Sequence, residues 1–376
     1  MWLEILLGLN MVSAIILIYW TILRCLEFKR LPKLTDDIPP STRRVSIIVP
    51  TRNEAGKIIQ CLDSIVRQRD VETQIIVVDD SSIDETRSIV KQYSREYGIE
   101  LLELDNLDPR AAGKSWACYY GYRRAVNDLL LFIDADTILL SEDVLARSIS
   151  TLESQDLDFL SIFPRFDMKS LWVRLIYPLY INTIILFEPF GKVNKESSKR
   201  CFLVGAFSLF KKRVYEAVGG HILVVEEILE DKVLGEVVRA MGYRFKIFDG
   251  DDLVLSRMES SIKDLWNMTI RFIAGSKLKL RAIIFLLIFY VIVFLTPLVS
   301  LAFFMDISMV VGAIPIYISI LLNALELNRN KVSIFFSLGY IIASIMLVSI
   351  LFYILIRFYK KNLIFRWKER EYIVKI

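Results

Sequence analysis

The sequence predicts an α/β domain built on a mostly parallel sheet and held between long apolar segments. Three observations carry this expectation. Between residues 45 and 136, short apolar runs of strand length alternate with stretches of helical periodicity. Three of those runs stop abruptly on polar or acidic residues. They are Val45–Val49 at Pro50-Thr51-Arg52-Asn53-Glu54, Ile75–Val78 at Asp79-Asp80, and Leu129–Ile133 at Asp134-Ala135-Asp136. The chain is also 54% hydrophobic, and the excess lies mostly outside this stretch, in segments long enough to span a bilayer.

Trp2–Leu23, nearly all apolar and broken by Glu4 and Asn10, opens the chain. It lacks a basic leader and a small-residue cleavage site, so residues 1–24 are expected to remain as a membrane anchor. Arg24, Lys29, Arg30, Lys33, Arg43 and Arg44 follow along a linker assigned to residues 25–44. Lys277, Lys279 and Arg281 open a C-terminal membrane region, residues 276–376. Ala282–Met305, Ile307–Leu325 and Ser333–Ile356 give it two or three crossings. By the positive-inside rule the chain is a multi-pass protein of the cell membrane with its middle in the cytoplasm. The basic tail (Arg357, Lys360, Lys361, Arg366, Lys368, Arg370) belongs on the same side. That requires an even number of C-terminal crossings, so one of the three is expected to be re-entrant or interfacial.

Within the middle part, Val45–Val49 reads as a first buried strand, followed by a helix with Ile58, Leu62, Ile65 and Val66 on one face. Ile75–Val78 is a second strand. Asp84, Glu85 and Thr86 then open a helix, where acidic residues suit the first turn. Glu100–Leu104 is a third strand, and Ala112–Val126 a helix leading into the Leu129 strand. Beyond Phe163-Pro164, Leu171–Phe190 is apolar apart from Arg174, Asn182 and Glu188, with Pro178 and Pro189 inside it. It reads either as an in-plane membrane helix or as an ordinary buried one. Cys201–Phe210 reads as a strand with Gly205-Ala206 at its centre, where glycine permits close backbone approach. Lys211–Val218 begins a helix stopped by Gly219-Gly220, and Leu229–Leu234 opens another that ends at Gly242.

The chemistry expected of this chain rests on carboxylates. In open α/β sheets ligands gather beyond the carboxyl ends of the strands, where Asp79, Asp80, Asp134 and Asp136 fall. Mg²⁺-like ions take one or two carboxylates plus substrate phosphates, so the Asp-x-Asp reads as a metal–diphosphate site. There is no Gly-x-Gly-x-x-Gly after the first strand and no Walker A sequence, which removes the dinucleotide and P-loop readings. The single histidine, His221, rules out a His-Glu-x-x-His zinc site. A net charge of +4, mostly at membrane flanks, gives no case for nucleic acid as a partner. Cys25, Cys61, Cys118 and Cys201 form no Cys-x-x-Cys pair and are expected to be reduced.

The motifs Val45–Glu54, Val77-Val78-Asp79-Asp80-Ser81-Ser82 and Asp134-Ala135-Asp136, in that order and spacing, resemble the nucleotide-sugar half of family 2 glycosyltransferases. The resemblance covers residues 45–275. It implies a GT-A fold (a mixed, mostly parallel sheet with helices on both faces) and an inverting reaction. Pro50, Arg52 and Glu54 would line the nucleobase pocket, and Asp79 and Asp80 would bind base and ribose. Asp134 and Asp136 would hold Mg²⁺ or Mn²⁺ on the donor diphosphate. Lys114, in Gly113-Lys114-Ser115, matches a Gly-Lys stretch of the family and would face the same diphosphate. Gly205 and Ala206 would lie on the acceptor side. Glu230-Asp231 matches the pair that contains the catalytic base, with Asp231 at its position.

Processive members carry Gln-x-x-Arg-Trp where this chain has Met268 and Phe272, keeping only Arg271 on the acceptor side. That departure disfavours a polysaccharide synthase. The stretch Leu265–Leu280 instead resembles the membrane subgroup linked to hopanoid and carotenoid glycosylation. The expected partners are therefore a nucleotide-sugar donor, of UDP type, and a membrane-lipid acceptor. Transfer to a polyprenyl phosphate is a rival within enzymes, and a degenerate membrane scaffold is a rival outside them.

Overall fold

The computed structural model describes residues 2–38, 43–105, 113–258, 261–303, 307–360, 362–367 and 370–374. Residues 39–42 of the expected linker, Ala112, Met305, Lys361 and Lys368 lie outside them. In chain order the first elements are α1 (Trp2–Arg30), β1 (Arg44–Thr51), α2 (Ile58–Val66), β2 (Glu72–Asp79), α3 (Thr86–Tyr97) and β3 (Glu100–Glu103). Next come α4 (Lys114–Arg124), β4 (Leu129–Phe132), β5 (Thr137–Leu139), α5 (Val144–Ser154), β6 (Phe159–Asp167) and α6 (Leu171–Phe187). They are followed by α7 (Phe190–Val193), β7 (Ser208–Lys211), α8 (Lys212–Ala217), α9 (Glu230–Ala240) and β8 (Phe245–Arg257). The last are α10 (Ile262–Gly275), α11 (Leu280–Tyr290), α12 (Thr296–Phe303), α13 (Ile307–Arg329), α14 (Tyr340–Tyr359) and the hairpin β9 (Leu363–Trp367)–β10 (Arg370–Val374).

These elements form two compact units. One contains Arg30–Asp167 and Phe190–Arg257; the other gathers Met1–Lys29, Met168–Pro189 and Met258–Ile376. Residues 168–189 and 258–275, included in the 45–275 stretch by sequence, therefore group with the apolar helices.

The first unit is an eight-stranded sheet in the order β3-β2-β1-β4-β7-β6-β8-β5. β3, β2, β1 and β4 run parallel, as expected when each strand returns through a helix. β7 runs antiparallel to both β4 and β6, which makes the sheet mixed. β1 is buried along almost its whole length, matching its uninterrupted apolar sequence. Ile58, Cys61, Leu62 and Ile65 of α2 are buried in the core beside Ile47, Val49 and Val77. Of the expected Cys201–Phe210 strand only Ser208–Lys211 forms. Residues 201–207 instead turn at the sheet rim, where Phe207 N–H donates to the Val204 carbonyl (3.1 Å) and Ser161 Oγ accepts from Val204 N–H (3.0 Å).

Among the described residues five helices are long and apolar enough to cross a membrane, Leu3–Arg30, Leu171–Val193, Leu280–Ala302, Met309–Arg329 and Ile334–Tyr359, and nearly all of their length belongs to the second unit. α1 outruns the expected anchor because no proline or glycine falls between Cys25 and Leu31, so Cys25–Arg30 are helical rather than linker. Leu171–Phe187 is one helix despite Pro178. α11 passes into α12 through a π-helical turn, Val291–Leu295.

Polar contacts fix the directions of these helices. Asn10 donates to Ser300 Oγ (2.7 Å), Ser13 Oγ donates to the Val293 carbonyl (2.7 Å), and Trp20 packs on Phe289. α1 and α11–α12 are thus antiparallel. Arg24 pairs with Glu326 (2.8 Å), and Gly312 lies beside Ser300 and Asn10, so α13 runs parallel to α1. Asn182 of α6 accepts from Arg24 Nε (2.9 Å) and donates to the Leu322 carbonyl (3.1 Å). Buried charge of this kind persists only where it is paired and hydrogen-bonded.

Candidate active site

β1, β2 and β4 end on one rim, and the turns beyond them carry the polar residues. Past β4 the chain turns through Asp134–Thr137, with Asp134 N–H donating to the Gly205 carbonyl (3.2 Å). Opposite, Gly113 precedes α4 at φ +112°, a left-handed conformation that glycine adopts without Cβ strain. Its N–H donates to Asp80 Oδ2 (3.1 Å), which fixes the start of α4 against the end of β2. α9 begins with Glu230 and Asp231.

These three element ends converge on one ammonium. Lys114 Nζ lies 3.0 Å from Asp134 Oδ1, 3.2 Å from Glu230 Oε1 and 2.9 Å from Asp231 Oδ2. Gly205 faces the same point. A Cβ there would stand 2.5 Å from Lys114 Nζ, 2.6 Å from Asp231 Oδ2 and 2.7 Å from Asp134 Oδ2. Glycine at 205 leaves the three side-chain heads room to meet, and the turn, not a strand, places it there.

Three carboxylates around one cation set the electrostatics. Burial works against the charge on Lys114, yet Asp134, Asp231 and Glu230 together raise its pKa well above the ordinary lysine value. Burial pushes the Asp231 carboxyl up to about 6; Glu230 and Asp134 act in the same direction and Lys114 against it. His221 is buried against Phe132, and its Nδ1 shares a 2.7 Å hydrogen bond with the Tyr215 hydroxyl. Burial, then Lys114, lowers its pKa to about 3, so it is neutral and structural.

A second group of residues lines the β1–β2 end. Asp79 is fully buried, and its Oδ2 accepts from Ser82 N–H (3.0 Å) and Arg87 Nε (2.5 Å). Among the described residues its Oδ1 has no hydrogen-bond partner, nor have Thr51 Oγ1 and Arg52 Nε. Thr51 stands directly opposite Asp79 in the parallel register, and Pro50 opposite Val78. Arg52 Nη1 donates to the Asp80 carbonyl (2.6 Å). A cluster of buried, unpaired polar atoms at a sheet rim fits a ligand that supplies the missing bonds. Glu54 is buried 3.9 Å from Lys57 Nζ, which also lies 3.7 Å from Asp136 Oδ2.

Sequence reasoning passed over two of these cations. Arg87 in the first turn of α3 opposes the helix dipole there, a signal that its charge serves a specific partner. Lys57 has no comparable signal, because its link to Asp136 depends on the fold. Arg271 belongs to α10, in the helical unit, and Ala206 is buried beside Gly205.

Among the described residues no three metal-ligating side chains gather into a ready-made site. Asp134 and Asp136 nevertheless offer hard oxygens, partly exposed and each facing a lysine. That donor set fits a cation completed by substrate phosphates, as Mg²⁺ and Mn²⁺ sites often are.

Residues 46–219 match the family described as Glycosyl transferase family 2. The chain thus matches that family over a little under half of its length. It is 29% identical over 255 residues to a 4,4'-diaponeurosporenoate glycosyltransferase of Staphylococcus aureus strain MRSA252, covering 66% of each chain. The protein of that name from strain USA300 is 29% identical over 219 residues, 57% of this chain and 56% of that one. The chain therefore spans between about half and two thirds of the curated relatives it matches. A mannosyltransferase from Pyrobaculum calidifontis, solved with GDP-Man and Mn²⁺, is similar with a TM-score of 0.54 at 18% identity, over 92% of this chain and 97% of that one. That is a likeness of fold, and it agrees with the GT-A architecture of the sheet.

Proposed function

We propose that the protein is a membrane-anchored inverting glycosyltransferase that moves a sugar from a UDP-type nucleotide sugar to a hydroxyl of a membrane lipid. The observation that carries this reading is the single ammonium of Lys114 held between Asp134 and Asp231. It brings a candidate diphosphate-side carboxylate and a candidate base to either side of one point, which is where a reacting anomeric carbon needs them. The unpaired Asp79 Oδ1, Thr51 Oγ1 and Arg52 Nε support a nucleobase pocket at the β1–β2 end.

In this reading Asp231 accepts the proton of the acceptor hydroxyl as its oxygen bonds to the anomeric carbon, while the bond from that carbon to the diphosphate oxygen breaks. Lys114 stabilises the charge that develops on the departing diphosphate. Mg²⁺ or Mn²⁺, held by Asp134 and Asp136, would supply further charge neutralisation there.

The relatives' name gives a second possibility for the acceptor, because a diaponeurosporenoate is a carboxylate and needs no base. The local charge favours the hydroxyl. Asp134, Glu230 and Asp231 already surround one ammonium, so a further anion would enter against an excess of negative charge. The basic flanks at Lys29–Arg44 and Lys277–Arg281 support a cytoplasmic catalytic domain.

The test is release of nucleoside diphosphate from a panel of nucleotide sugars by the full-length protein with native membrane lipids, with and without Mg²⁺ or Mn²⁺. Metal-dependent turnover of one donor with a lipid-extractable product supports the reading. Full activity of Asp231→Asn would identify a carboxylate acceptor, and failure to bind any nucleotide sugar would overturn the reading.

A further inference from the structure

Five helices are long and apolar enough to cross a membrane, but their connections do not allow all five to do so. β6 ends at Asp167 and α7 begins at Phe190, and β6 is hydrogen-bonded to β7 and β8, which follow α6 in the chain. One sheet cannot lie on two sides of a bilayer, because its backbone ladder has no partners in lipid. Both ends of α6 are therefore on the side of the sheet, and this single 17-residue helix enters without crossing.

α14 shows the same behaviour for a different reason. α13 reaches the Arg24–Phe28 level of α1 through the Glu326 ion pair and the Arg329 guanidinium over the Phe28 ring. The chain then reverses, with Val332 N–H donating to the Leu327 carbonyl (2.9 Å), and climbs back through the 3₁₀ turn Ile334–Gly339. Tyr340 packs on Phe294, and Phe294 on Trp20, so α14 begins part-way along α1 rather than at its end. From there it runs back along α11 until Tyr353 meets Trp266 of α10. α10 leads directly into Lys277, Lys279 and Arg281, where α11 starts.

We infer that only α1, α11–α12 and α13 cross the membrane. α6 and the Ile334–Tyr359 segment occupy only the leaflet on the side of the sheet. Their exposed apolar side chains, among them Leu171, Trp172, Ile334, Phe335 and Leu338, take the acyl chains of that one leaflet as their partner.

The charges provide an independent check. The ends on the sheet side carry Arg24, Lys29 and Arg30, then Lys277, Lys279 and Arg281, then Arg329 and Lys331, and finally Arg357 and Lys360. The opposite ends, Met1–Asn10 and Leu301–Met309, hold no lysine or arginine at all, only Glu4 and Asp306. Three crossings put every basic cluster on one face, which satisfies the positive-inside rule and removes the parity conflict of the sequence.

The inference is tested on the full-length chain in intact cells and in inverted membrane vesicles, with Cys25→Ser as background. Ile307→Cys, Lys331→Cys, Lys360→Cys and Phe187→Cys are each probed with a membrane-impermeant maleimide. The expected result is labelling of Ile307→Cys from outside, and of the other three only in inverted vesicles. Labelling of Lys360→Cys in intact cells would overturn the inference for α14, and that of Phe187→Cys would overturn it for α6. Should a variant fail to insert, protease removal of a C-terminal tag on the unsubstituted chain gives the same answer: loss only in inverted vesicles supports three crossings, and loss in intact cells overturns them. These readouts do not use activity, so they stand apart from the transferase reading.

Discussion

Each unit of the molecule pairs a cation with acid, one carboxylate in the helical unit and three in the sheet unit, and the two arrangements differ in what they leave open. In the helical unit the Arg24 and Glu326 side chains are 6% and 0% exposed, Asn182 accepts from Arg24, and Asn330 donates to Glu326. In the sheet unit Lys114 and Asp134 remain 28% and 34% exposed, and one ammonium is shared among three carboxylates. A saturated, sealed pair serves as a lock between helices. A group with more negative than positive charge, open at one side, is built to receive something.

Substitutions should separate the two. The largest effect is expected at Asp231→Asn, with kcat falling by about 10²–10⁴ as the proposed general base is lost, while the KM for the donor changes little. Steady-state release of nucleoside diphosphate measures both. In the lock, Arg24→Met alone should cost about 3–5 kcal/mol of stability, because Glu326 is left charged and buried. Adding Glu326→Leu should recover most of that loss, read from thermal unfolding in detergent, with transfer activity following the folded fraction. Lys114→Met should show the opposite pattern, a loss of activity that no second substitution at Glu230 restores. Next in size is Gly205→Ala. Its Cβ would displace the heads of Lys114, Asp231 and Asp134, which are flexible side-chain ends. A misplacement near 1 Å costs about 10²-fold in rate, so activity should fall by that order while the melting temperature moves little.

The two arrangements were also unequally legible in the sequence. The sheet and its rim could be read because each apolar run stops where the backbone leaves the core, at Thr51, Asp79 and Asp134. The convergence of Lys114 with Glu230 and Asp231 could be expected only through the resemblance to family 2 enzymes, since no local pattern links residues so far apart. Gly205 was legible as a site of close approach but not as part of a turn. Lys57 carried no signal, and Arg87 only the mismatch with its helix dipole. The Arg24–Glu326 lock left no trace, because its partners are 302 residues apart and each reads locally as a flanking charge. α6 stayed ambiguous for a physical reason: an in-plane helix and a buried one present the same mixture of apolar and isolated polar residues.

The smallest expected effect tests the open site most directly, through pH. Burial, Glu230 and Asp134 raise the Asp231 carboxyl to about 6. As the proposed base it would be active when deprotonated, so kcat/KM should fall about tenfold per pH unit below that value and level off above it. Stability should move the other way. A carboxyl whose pKa is higher folded than unfolded favours the fold at low pH, and that contribution fades as pH rises through the folded value. Activity gained and stability lost over the same interval near pH 6 is a signature the sealed Arg24–Glu326 pair does not produce. Asp231→Asn should flatten the stability profile there, measured as melting temperature between pH 4.5 and 7.5. A stability profile unchanged by that substitution would assign the titration to another group and leave the base without its electrostatic support.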